Sequence, residues 1–227
     1  MLLNALLVTA VFAWTLTWAP GALPAGGWAP FAVLWLATQV HAPCSVGYHL
    51  FMPMGKRVSN LWRRLDVCAI FVASALLTYA MSAFVLPPAA VAALTSAAAA
   101  LAAFACLRTW GLRPDDSLAD SKASHACFVA CGVVLYVTPV VMVMAWEVAA
   151  GGVVAAATSP GVLCGAGIVT SLALSGIVYS CSWPECQWPG AFDLVGNSHQ
   201  LMHVGIMVTQ CFQWGFLLTY AADHMRH

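Results

Sequence analysis

Seven long apolar stretches, separated by proline, glycine or charge, leave this chain few ways to fold. Crossing the hydrocarbon of a bilayer takes about 20 helical residues, because backbone polar groups in lipid must be hydrogen-bonded within the segment. That ruler divides the sequence at residues 2–19, 28–51, 65–85, 89–107, 125–149, 161–180 and 198–222. Pro20, the Pro53/Gly55 pair, Pro87-Pro88, a polar loop at 108–124 and Gly151-Gly152 mark the breaks. Composition agrees: 62% of residues are hydrophobic and 7% charged, with a mean hydropathy of +0.87. A soluble domain so composed would have too few polar residues to cover its surface. The expected fold is an all-α membrane protein, integral and multi-pass, with one seven-transmembrane-helix bundle over residues 1–227. Residues 2–19 lack a basic n-region and read as the first span, not as a cleaved leader. Zero formal net charge gives no global attraction to nucleic acid.

The few basic residues set the orientation. Lys56, Arg57, Arg63 and Arg64 lie between spans two and three, and Arg108, Arg113 and Lys122 between four and five. Only Arg226 falls on the other side. The positive-inside rule therefore predicts a cytoplasmic N-terminus and an exoplasmic C-terminus. The nine cysteines form no C-x-x-C pattern, and most lie inside apolar segments, where Cys acts as a small hydrophobe. Cys181 and Cys186 lie outside the spans, where a disulfide or a metal-ligand role is open to them.

Polar residues inside these spans are costly and point to function. His199 and His203 are four apart, which on a helix puts both imidazoles on one face, where they can share one Zn²⁺. The predicted topology sets His49, Ser45 and Asp66 at the same cytoplasmic helix ends. Each has a plainer reading. A helix-end His can hydrogen-bond in the interface, Asp66 can cap span three, and Ser45 can bond back to the carbonyl of His41. His41 itself reads as a packed or water-lined residue, and His125 as interfacial. Taken jointly, His49, His199 and His203 read as metal ligands.

Ser45-Val46-Gly47-Tyr48-His49 matches an S-x-x-x-H motif, and Trp62-Arg63-Arg64-Leu65-Asp66 is followed by Ala69-Ile70-Phe71. Tyr179, Pro184-Glu185, Pro189-Gly190, Phe192-Asp193, Gly196, Ser198-His199-Gln200 and His203 form a closing signature. In order and spacing these resemble the progestin and adipoQ receptor family, which includes the bacterial hemolysin-III-like proteins and is similar to alkaline ceramidases. The resemblance implies Zn²⁺ held by His49, His199 and His203, with Asp66 holding a zinc-bound water and Ser45 supporting the site. Three positions depart from the family pattern. Only Asn4 stands near the place of a Glu/Asn motif before the first helix, Val67 replaces a frequent His, and Ser182 a frequent Arg.

Two functions compete at this stage. One is a zinc-dependent lipid amide hydrolase, ceramidase-like, with Asp66 and Ser45 as catalytic residues and a membrane lipid as substrate. The other is a lipid-sensing receptor that binds a ceramide-like lipid or fatty acid, with structural zinc and no turnover. A pore is disfavoured, because the spans carry no row of charges to line one.

Overall fold

The computed structural model describes residues 1–18, 27–111, 122–192 and 195–224. Arg113, Arg226 and Asp193, used above for orientation and motif, lie outside the described residues. Seven α-helices and no strands are found among the described residues: α1 Leu2–Trp18, α2 Trp28–Phe51, α3 Lys56–Ser82, α4 Pro88–Gly111, α5 Lys122–Ala156, α6 Pro160–Ser180 and α7 Ser198–His224. The chain is an all-helical, multi-pass membrane protein. From α3 onward each helix is long and apolar enough to cross a bilayer. In α2, Gln39, His41 and His49 dilute the apolar content, and α1 is apolar but only 17 residues long.

Helix ends follow local chemistry. Pro88 and Pro160 sit at helix starts, where a missing N–H costs nothing. Gly152, at φ 77°, breaks the helical path of α5. The largest departure from the expected boundaries is at α3, which begins at Lys56 and not near residue 65. The basic segment is helical, and Arg64 is buried on it. Asp66 therefore lies nearly three turns inside α3 and cannot cap it.

The described chain forms two compact units, Met1–Val140 and Val141–Asp223, divided within α5. In the first, α2 and α3 form an antiparallel hairpin closed by a short 3₁₀ turn, Met52–Met54. Helix α1 packs on α2, where Trp35 donates to the Thr9 hydroxyl at 3.0 Å and Gln39 to the Ala5 carbonyl at 3.2 Å. Helix α4 offers α3 a stripe of Ala98, Ala102, Ala105 and Thr109, small side chains that allow close approach. Phe71 of α3 packs against Ala102 and Ala105 and meets Phe128 of α5 edge-on, with ring centroids 6.0 Å apart. The buried hydroxyls of Ser74, Thr78 and Ser82 donate to carbonyls one turn back, at 2.7–2.9 Å. Back-bonding of this kind lets α3 bury these three hydroxyls.

In the second unit α6 and α7 lie against each other, joined by a 2.7 Å hydrogen bond between the Ser171 and Thr209 hydroxyls. Gly205 permits this approach, since a Cβ there would fall 1.9 Å from Ser175 Oγ. Further along, Tyr220 of α7 donates a hydrogen bond to the Glu147 carboxylate of α5.

Candidate metal centre

The start of α7 is held by side chains from both sides of its first residue. Asn197 accepts the Gln200 backbone N–H at 3.0 Å, the bond of an N-cap residue. Gln200 reaches back, and its Oε1 accepts the Gly196 N–H at 2.7 Å, a variant of the capping box. Gly196 takes φ 83°, a left-handed conformation that suits glycine. Glu185, from the preceding loop, accepts the Ser198 N–H at 2.7 Å and also the Ser198 hydroxyl. Those bonds hold its carboxyl below the ordinary value of 4.5. A carboxylate at a helix N-terminus is further favoured by the helix dipole. The Gly-Asn-Ser-His-Gln run is thus a cap that fixes where His199 emerges.

From that cap, His199 and His203 come one turn apart, as their spacing predicts. Their Nε2 atoms lie 3.1 Å apart, and the rings are perpendicular with centroids 4.6 Å apart. The ring of Tyr179, from the end of α6, lies 5.7 Å from that of His199. Two nitrogens each about 2.0–2.1 Å from one tetrahedral zinc stand about 3.3–3.4 Å apart. The pair is close to that separation, so the two imidazoles fit a shared ion. His49 completes a group that could hold a metal ion: one ring nitrogen from each of His49, His199 and His203 lies within 4.8 Å of the others. Three imidazoles without a thiolate suit zinc and other borderline divalent metals.

No cysteine or carboxylate joins that group among the described residues. Cys181 and Cys186 are both free and exposed, so the disulfide considered for them is absent.

The remaining sequence-predicted residues lie on the α2–α3 hairpin. Ser45 is fully buried on α2, one turn before His49. Asp66 of α3 meets His41 of α2, with 3.1 Å between His41 Nε2 and Asp66 Oδ1. His41 is therefore a hydrogen-bonding partner of Asp66 and not merely the packed or water-lined residue expected. Gly47, two residues before His49, lies under the Trp62 indole, which in turn stacks on Phe51 with centroids 5.0 Å apart.

No part in the site is predicted from sequence for Glu185, Asn197, Gln200 or His41. The first three stand in or beside the quoted closing motif, and the Asn197/Gln200 spacing is a readable N-cap signal. For His41, a polar residue inside an apolar span was the available sign.

A family model described as haemolysin-III related matches residues 2–214. No curated protein matches the chain.

Proposed function

The chain belongs to the haemolysin-III-related family, and from that premise we propose that it is a zinc-dependent hydrolase of membrane lipid amides. The observation that carries the proposal is the convergence of ring nitrogens from His49, His199 and His203. These three residues would hold the ion. When bound there, the ion would supply Lewis acidity toward a water or an amide carbonyl. Asp66 is the proton acceptor in this reading. It takes a proton from the attacking water and returns it to the leaving amine nitrogen, so water is split between the acyl carbon and the amine. Ser45, buried one turn from His49, supports the α2 side of the site. The substrate, a ceramide-like lipid, reaches the site from the bilayer.

Metal content tests the assignment directly. Purified protein is expected to carry about one zinc per chain at a three-histidine site. His199→Ala and His203→Ala should each remove most of it, and zinc content unchanged in both variants would sink the metal reading. Zinc retained at full occupancy with no turnover of any lipid amide would leave a lipid sensor, the competing reading.

A further inference from the structure

We infer that His41 is the positioning residue for Asp66, a role that rests on the hydrolytic reading above. The hairpin brings the two together by register. His41 lies ten residues before the end of α2 at Phe51, and Asp66 ten residues after the start of α3 at Lys56. In an antiparallel pair those positions face each other at one level. His41 Nε2 and Asp66 Oδ1 are 3.1 Å apart, with the side chains 18% and 14% exposed.

An imidazole and a carboxylate within apolar helices are costly to place, and a pairing recovers part of that cost. The pairing also has a directional effect. A carboxylate alone turns about its terminal torsion, which is broad for Asp. With Oδ1 held by the His41 N–H, that torsion is fixed and Oδ2 points one way. When Asp66 takes a proton it does so on Oδ2, while Oδ1 still accepts from His41. The dyad bond survives the transfer, so His41 orients the base without itself gaining or losing a proton. A packing residue would fill the same space but leave the carboxylate free to turn.

The experiment compares His41→Ala and His41→Gln in the full chain, in detergent, with a short-chain ceramide as substrate. Outer partners of this kind are typically worth about 10–100-fold. His41→Ala should lower kcat by that factor with KM and zinc content unchanged. His41→Gln, which keeps an N–H donor, should recover most of the loss. In the Asp66→Asn background His41→Ala should cost nothing further, because the group it positions is gone. A second readout needs neither metal nor turnover: the infrared carboxylate band of Asp66 in metal-free protein should shift in His41→Ala and return in His41→Gln. An active wild type with unchanged kcat in His41→Ala overturns the inference. So does a loss that His41→Gln fails to recover, or one that follows zinc content. Wild-type protein that holds zinc but hydrolyses nothing overturns the hydrolytic reading, and the inference with it.

Discussion

Gly47→Ala is the sharpest test of how the hairpin carries His49. A Cβ at position 47 would lie 2.1, 2.3 and 2.7 Å from three carbons of the Trp62 indole. Carbon atoms in contact sit at about 3.5–4.0 Å, so the methyl and the ring must part by about 1.4 Å or more. The indole cannot simply slide, because Phe51 stacks on it. Either α2 and α3 separate locally, or Trp62 turns out of its place. Overpacking of this kind costs about 1–3 kcal/mol, and losing an aromatic pair adds about 0.5–1.5 kcal/mol. The expected destabilisation is therefore about 1.5–4.5 kcal/mol. His49 is two residues away, so part of that strain falls on its placement. Each 1.4 kcal/mol that does so weakens zinc binding about tenfold. The assay is denaturant unfolding in micelles beside a zinc titration, for Gly47→Ala, Trp62→Ala and the double variant. Removing the indole should relieve the clash, so the double variant should be more stable than the sum of the single losses predicts. A Gly47→Ala protein as stable as wild type, with wild-type zinc affinity, would refute the close approach and its link to His49.

Two further outcomes are expected. The carboxyl of Glu185 is held below its ordinary value by Ser198, so its ionised form stabilises the α7 cap. That contribution is fully present above the unfolded value of about 4.5 and is lost as pH falls through the lower native value. In metal-free protein, the thermal stability of wild type should exceed that of Glu185→Gln at neutral pH, by a small margin for a partly exposed group. The gap should close under acid, and a gap constant down to pH 3 would exclude this role. For orientation, protease protection in sealed vesicles should find the N-terminus on the cytoplasmic side and the C-terminus outside. Both termini on one side would refute the reading of the basic residues.

The helices were legible in the sequence because apolar length and Pro/Gly punctuation are written locally. Residues 28–51 match α2, and Gly151-Gly152 coincides with the break in α5. The start of α3 was not legible. A hydropathy ruler ends a span where charge begins, whereas a helix continues into the headgroup region if its basic side chains reach water. That one boundary displaced Asp66 from helix interior to helix end. The His199/His203 pair followed from four-residue spacing, since that contact lies within a single helix. His41 with Asp66 joins two helices, and Glu185 with Ser198 crosses a loop, so neither pairing has a spacing rule to reveal it. Gly47 stood in the motif as a letter, and only the indole above it shows what a side chain there would meet.

The short turn between α2 and α3 has a consequence for the order in which the protein is built. Only residues 52–55 separate the two helices, so joining them costs little loop entropy, and such local contacts form fast. During synthesis the His41–Asp66 bond and the Gly47–Trp62 contact become available as soon as α3 has left the ribosome. His199 then lies more than a hundred residues further along, still untranslated. The carboxylate is therefore oriented before the imidazoles of α7 exist. Errors in α7 would then leave the hairpin that was formed first intact.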